Sequence, residues 1–177
     1  MNRIVKNLVL KRTNLIVGNR FFSASQNIKE SGKFEIVGNL SFDEPKVGQS
    51  AKVDHAFSQS DVNVFAGLCG DINPLHIDPE FGKTTMFGGT IVHGIFVSSL
   101  FSTIFGRSLT GSIYVSQNLT FKRPVHVGKP VTAIIEVQSV DPRKKGDVIT
   151  CSTIVKLEDG SVAVDGVAKV LLPRKPL

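Results

Sequence analysis

The stretch Ile95-Phe96-Val97-Ser98-Ser99-Leu100-Phe101-Ser102-Thr103-Ile104-Phe105 carries no charge, and its apolar residues are interleaved only with hydroxyl side chains. Read as a helix, it is apolar or small almost all the way round, so it must be buried on most of its sides. About eleven residues falls well short of the roughly 20 needed to cross a bilayer, so the burial has to come from the chain itself. Something must wrap around this helix.

The wrapping material follows it. Ile113, Val115, Leu119 and Phe121 alternate with other residues, as do Val131, Ala133, Ile135 and Val137, which is the period of a strand with one buried face. Two more runs, about 148–157 and 162–172, are joined by Glu158-Asp159-Gly160-Ser161, a hairpin signal, and Asp141-Pro142-Arg143-Lys144-Lys145-Gly146 supplies another turn. The last three long strands can therefore form an antiparallel meander with one face on the helix. Upstream, Ala51, Val53, His55 and Phe57 alternate with Lys52, Asp54 and Ala56 as a further strand. The pattern predicts an α+β hot-dog fold, a curved antiparallel β-sheet wrapped around a long central helix. No other stretch approaches a membrane span, so no membrane association is expected.

Between that first strand and the central helix the chain changes character. Ser60-Asp61 is placed to cap a short helix whose apolar positions Val62, Val64, Phe65 and Leu68 run to Gly70, leaving Asp71 just beyond its end. Pro74 disfavours helical backbone at Asn73, which predicts a shaped loop from Asp71 to His76. Asp78 reads as a cap before Pro79-Glu80, which open another short turn of helix, and Gly88-Gly89 reads as a loop.

This loop carries the chemistry. Asp71-Ile72-Asn73-Pro74-Leu75-His76-Ile77-Asp78 sets a carboxylate and an imidazole five positions apart around an Asn-Pro turn, a pair suited to coupled proton transfer. Ile91-Val92-His93-Gly94 then opens the buried helix, where a glycine offers backbone N–H groups to a developing oxyanion. Asp-x-Asn-Pro alone is ordinary turn chemistry. Joined to the histidine, the glycine and the uncharged helix, it points to a site for chemistry next to a carbonyl.

Other polar residues have plainer roles. His93 is expected to make a structural hydrogen bond, His55 and His126 lie in strand-like sequence as surface or core imidazoles, and Phe87 is a packing or pocket residue. Cys69 and Cys151 make neither a disulfide framework nor a metal site, and both read as reduced thiols in packing roles. No metal or organic cofactor is implied, because neither a metal-ligand spacing nor a Gly-rich phosphate loop is present.

The formal charge of +6 suggests nucleic acid until its distribution is read. Arg3, Lys6, Lys11, Arg12 and Arg20 precede the first acidic residue, Glu30, and from Ser23 onward sixteen Lys/Arg face fifteen Asp/Glu. The body is nearly neutral, which argues against a polyanion-binding function. The acid-free leader has the composition of a mitochondrial transit peptide, with Arg20-Phe21-Phe22-Ser23 placing cleavage after Phe22. A secretory signal fits less well, since Lys11 and Arg12 interrupt its apolar stretch. The expected organisation is a cleaved transit peptide over 1–22, a polar segment over 23–41 and one folded domain over 42–177, located in the mitochondrial matrix.

The segment from Asp71 through Phe87 to Gly94 resembles the hydratase motif of the MaoC-like (R)-specific enoyl-thioester hydratases and dehydratases, Asp-x-Asn-Pro-Leu-His-x-Asp, a Phe-containing spacer and Ile-Val-His-Gly. The resemblance extends over roughly Phe42 to Pro173, and the leader adds a likeness to the mitochondrial dehydratases of type II fatty acid synthesis. It implies reversible syn elimination of water from an (R)-3-hydroxyacyl thioester of acyl carrier protein or CoA. Asp71 and His76 match the proton-transfer residues and Gly94 the oxyanion donor. Asn73 shapes the loop, and Ser102 matches a position lining the site. The family likeness also implies a homodimer joined sheet edge to sheet edge, with the long terminal strands as expected edges.

Lys122-Arg123-Pro124 and Arg143-Lys144-Lys145 are positioned either to meet carrier phosphate or an acidic carrier surface, or simply to be solvated. Gln49 and Lys129 stand where relatives often carry an acidic residue, which bears on partner contacts more than on chemistry. Three rivals remain: an (R)-specific enoyl-CoA hydratase of fatty acid oxidation, a thioesterase on the same fold, and a non-catalytic acyl-thioester-binding subunit.

Overall fold

The structure is a computed structural model that describes residues 34–174; the expected transit peptide and its cleavage point lie outside the described residues. Its elements run β1 (Ile36–Gly38), β2 (Ser50–Ala56), α1 (Gln59–Cys69), α2 (Pro74–Ile77), α3 (Pro79–Thr84), α4 (Gly94–Ser108), β3 (Ile113–Phe121), β4 (Pro130–Arg143), β5 (Gly146–Leu157) and β6 (Val162–Pro173). The strands form one sheet in the order β1-β2-β4-β5-β6-β3, and every pairing is antiparallel.

The uncharged run is the middle of α4, and the sheet closes on it. Val97, Leu100, Phe101, Ile104 and Phe105 lie in one buried cluster with Val53 of β2, Ala133 and Ile135 of β4, Cys151 and Val155 of β5, and Ala168 and Val170 of β6. Burying each of the larger side chains contributes roughly 1.5–3 kcal/mol, so this contact is the main source of the domain's stability. The helix is not enclosed all round. Ile95, Ser102 and Gly106 are exposed along one stripe, so burial stops on the side that the sheet leaves open. This is the hot-dog fold that the pattern predicts.

Several local readings need correction. Ser58, not Ser60, caps α1: its hydroxyl accepts from the Asp61 N–H while the Asp61 carboxylate accepts the Ser58 N–H at 2.9 Å, a reciprocal capping box whose spacing places the start of α1 before Ser60. The turn expected over 141–146 is tighter than that, because Asp141, Pro142 and Arg143 pair with Val148, Asp147 and Gly146, leaving Lys144-Lys145 as the hairpin loop. Gly146 has no room for a side chain, since a Cβ there would stand 2.2 Å from the Leu172 carbonyl oxygen.

The edges also differ from expectation. β6 lies between β5 and β3, so the long terminal strands are interior and, among the described residues, the edge strands are β1 and β3. The reason is the path taken out of α4, which delivers β3 to the far side of β6. The polar segment 23–41 contributes β1 to the sheet, with Phe34, Ile36 and Leu40 packed against the core. Three strand residues are too few to show a period. No helix among the described residues is long and apolar enough to cross a membrane.

Candidate active site

Backbone chemistry builds the loop that holds Asp71. α1 stops at Gly70, whose φ of 81° turns the chain out of the helix, a conformation costly for any residue with a side chain. Asp71 then accepts the Asn73 N–H on Oδ1 at 3.3 Å, and Asn73 accepts the Leu75 N–H on its own Oδ1 at 3.1 Å. These bonds cap α2. The expected loop from Asp71 to His76 is thus a loop only as far as Asn73, because proline disfavours helix in the residue before it but is well suited to the first helical position. His76 stands in the last turn of that short helix. Asp78 caps α3 as expected, accepting from the Glu80 and Phe81 N–H groups at 2.9 and 3.1 Å.

The half-buried His76 is aimed by a carbonyl. Its Nδ1 lies 2.8 Å from the Ile91 oxygen, which can only accept, so Nδ1 carries the proton and Nε2 of the neutral ring presents a lone pair. That Nε2 stands 3.9 Å from Asp71 Oδ2. His93 Nε2 is also 3.9 Å from Asp71 Oδ2 and donates to the Asp71 backbone carbonyl at 2.9 Å. The two imidazoles stack, with centroids 3.8 Å apart and planes at 27°. His93 is 4% exposed, whereas the Asp71 side chain is 56% exposed and faces solvent and any ligand.

Gly94 begins α4, immediately after the N-capping His93. Helix geometry leaves its first N–H groups without intrahelical acceptors and gives that end partial positive charge. A Cβ on Gly94 would lie 2.7 Å from the Phe121 ring, so any side chain there would have to displace that ring.

Two cavities meet at this point. The larger, of about 390 Å³, is lined by His76, Phe87, Gly94, Phe121 and Val164, with Lys122 and Arg123 also in its wall. The smaller, of about 270 Å³, is lined by Phe65, Cys69, Asp71, His76, His93 and Gly94. His76, Gly94 and Ile95 line both, so the two cavities adjoin at His76 and the helix N-terminus, with Asp71 in the wall of the smaller. An apolar wall with a few converging polar groups suits an acyl group whose reacting carbonyl must be oriented.

Asp71, His76 and His93 also place one possible metal-ligand atom each within 4.8 Å of one another. The set does not suit an ion. His93 Nε2 is committed as a donor to a carbonyl, and an ion between two stacked rings would lie outside the plane of both, away from their lone pairs.

Of the residues singled out from sequence, Asp71, His76, Gly94 and Phe87 line these cavities, and Asn73 is tied to Asp71 by its N–H. Ser102 is not brought there: it is exposed, two turns further along α4, and lines neither cavity. The strand period expects Val115 and Phe121 on a buried face, but both are exposed on the edge strand β3; Phe121 and the buried Val164 line the larger cavity, and neither that nor the Ile91 carbonyl is signalled in the sequence.

Comparison with known proteins agrees with this architecture. The MaoC like domain family matches residues 41–158. The chain is 45% identical over 130 residues to the (R)-specific enoyl-CoA hydratase of Aeromonas caviae, covering 72% of this chain and 96% of that protein. It is 34% identical over 129 residues to the mitochondrial 3-hydroxyacyl-[acyl-carrier-protein] dehydratase of Arabidopsis thaliana, covering 72% and 78%. Among solved structures, the A. caviae (R)-hydratase superposes with a TM-score of 0.69, covering 72% of this chain and 97% of that one, at 45% identity. The R-hydratase PhaJ1 of Pseudomonas aeruginosa gives 0.71, covering 80% and 90%, at 31% identity.

A six-stranded antiparallel sheet around one helix is the hot-dog fold, and the hydratase and dehydratase relatives make this chain a hydro-lyase of that class. The chain belongs to the MaoC-like dehydratase family.

Proposed function

We propose that this protein is an (R)-3-hydroxyacyl-thioester dehydratase, working reversibly as a trans-2-enoyl-thioester hydratase, on acyl-carrier-protein thioesters in the mitochondrial matrix. The observation that carries the reading is the approach of His76 Nε2 to Asp71 Oδ2 at 3.9 Å beside Gly94. The gap leaves each group free to bond a substrate atom rather than locking the two together.

In dehydration the bond from the α-carbon to hydrogen breaks and its proton passes to the Asp71–His76 pair. The C3–oxygen bond breaks, the double bond forms, and the departing hydroxyl takes a proton from the pair, leaving as water. One proton enters the pair and one leaves it, so the enzyme returns to its starting state. Charge that moves onto the thioester oxygen is met by the N–H of Gly94, and such a donor typically contributes about 2.7–4 kcal/mol. Asn73 holds the loop and caps α2, which carries His76.

The carrier and compartment rest on two observations. Relatives named as mitochondrial 3-hydroxyacyl-[acyl-carrier-protein] dehydratases are 34% and 37% identical, and the leader of this chain is basic and acid-free. The second reading, an (R)-specific enoyl-CoA hydratase, is favoured by the 45% identity to the A. caviae enzyme. Both carriers present phosphate, which Arg123 in the wall of the larger cavity can meet, whereas Lys122 beside it is paired with Asp165 at 2.6 Å. A homodimer through the free β3 edge completes the proposal. The exposed Val115 and Phe121 on that strand are apolar surface that a second copy would cover.

The test is hydration of crotonyl-CoA by the chain lacking residues 1–22, followed by loss of enoyl-thioester absorbance. Matched acyl-CoA and acyl-carrier-protein substrates are then compared. Turnover of CoA esters alone would replace the carrier-protein reading with the enoyl-CoA hydratase.

A further inference from the structure

We propose that His93 is a positioning residue that sets the geometry of both proton-transfer groups, fixing the Asp71 backbone through its Nε2–H and the His76 ring through its face. The inference rests on the hydratase reading for its kinetic consequence, but its geometry stands without it.

The loop that carries Asp71 is otherwise held only by itself. Among the described residues, the other hydrogen bonds of 71–73 run to close sequence neighbours: Asp71 N–H to Cys69 Sγ at 3.5 Å, Ile72 N–H to the Gly70 oxygen at 3.1 Å, Asn73 N–H to Asp71 Oδ1 at 3.3 Å, and the Asn73 oxygen and Oδ1 to His76 and Leu75. The bond from His93 Nε2 to the Asp71 oxygen is the one that reaches across to another element. Asp71 is exposed, so no surrounding packing substitutes for that tie.

The ring is also an uneconomical choice if packing were its only task. A carbonyl accepts from Nε2, so Nε2 carries the proton and Nδ1 is left buried and, among the described residues, without a hydrogen-bond partner. An unpaired buried acceptor destabilises the fold, and phenylalanine would fill the same space against Phe65 and His76 without that penalty. The unfavourable Nδ1 is therefore the companion of a useful Nε2–H. His93 also occupies the N-cap position of α4 without a side-chain capping bond, so its ring is left to the Asp71 carbonyl and the His76 face directly beside Gly94.

The experiment uses the full chain and compares His93→Phe with His93→Gln. His93→Phe keeps the ring contacts and removes both nitrogens. It should fold with Tm equal to or above that of the parent, while kcat for crotonyl-CoA hydration falls by about 10-fold to 10²-fold, the scale expected for ångström-level misplacement of reacting groups. KM should stay within about threefold, since the loss lies in positioning rather than binding. His93→Gln, with an amide N–H, should recover part of kcat. A His93→Phe enzyme with kcat within about threefold of the parent would overturn the proposal.

Imidazole ¹⁵N spectra of the parent give a readout that needs neither turnover nor a folded variant. His93 must carry a proton on Nε2, and a ring protonated on Nδ1 alone would sink the inference. In His93→Phe the amide resonances of 71–73 should shift or broaden while those of β5 stay put, and an unmoved loop would count against the tie. A parent inactive on every enoyl thioester would defeat the hydratase reading alone, with the spectra still deciding the positional role.

Discussion

The acid, the imidazole and the glycine of the site stand on separate residues, which makes their contributions separable by substitution. Asp71→Asn and His76→Ala should each lower kcat/KM for enoyl-thioester hydration by roughly 10²-fold or more with the fold retained, as read by circular dichroism and steady-state kinetics. At Gly94 the argument is steric. Gly94→Ala places a methyl 2.7 Å from the Phe121 ring, and activity should fall by at least about 10-fold and return in part when Phe121→Leu makes room. The cysteines divide by burial: Cys69 is exposed and Cys151 fully enclosed, so a thiol reagent should titrate one group in the native protein and two in denaturant.

Burial also pushes the Cys151 thiol up to about 12 from 9.0 and the Tyr114 phenol up to about 12 from 10.0. Folding favours the protonated form of each, so their contribution is complete below pH 9 and is lost as pH rises through the interval to about 12. Denaturant midpoints should fall over that range, and Cys151→Ala should flatten part of the slope. At this scale the sequence singled out Asp71, His76 and Gly94, which the structure brings to the lining of the smaller cavity, because an acid, an imidazole and a glycine are visible as residue types. It was illegible for the Ile91 carbonyl that sets the His76 tautomer, since every residue has a carbonyl and only tertiary proximity selects one.

Among the elements, α4 bears the most weight. Leu100 and Ile104 are each at most 1% exposed, and Leu100→Ala or Ile104→Ala should cost about 2–5 kcal/mol in chemical denaturation. Ser102 on the open stripe should tolerate alanine within about 0.5 kcal/mol. The short α2 depends on its cap, so Asn73→Ala should lose about 1 kcal/mol and also lower kcat, because His76 stands at the other end of that helix. Elements with a sustained period were readable: α4 is uncharged along its core-facing length, and β4, β5 and β6 alternate. Short ones were not. Three residues of β1 and four of α2 carry too little pattern to separate from loop, and their existence is decided by a neighbouring strand and by the Asn73-Pro74 cap.

At the scale of the whole molecule, the asymmetry of the sheet matters most. One edge is the three-residue β1, and the other is the nine-residue β3, with Val115 and Phe121 exposed. An exposed edge of that length invites a second copy. Light scattering after size exclusion should give twice the chain mass, and Val115→Lys, adding charge to the edge strand, should shift the population toward monomer.

By itself the sequence determined that one uncharged helix must lie inside a sheet and that an acid, an imidazole and a glycine are presented at its start, because burial and proton transfer are demands that side chains state directly. Only the tertiary structure decided which carbonyls orient the two histidines, that Phe121 closes on Gly94, and that β3 rather than β6 forms an edge of the sheet. Those outcomes depend on backbone groups and strand order, which are common to all residues and take their meaning only from what the fold brings beside them.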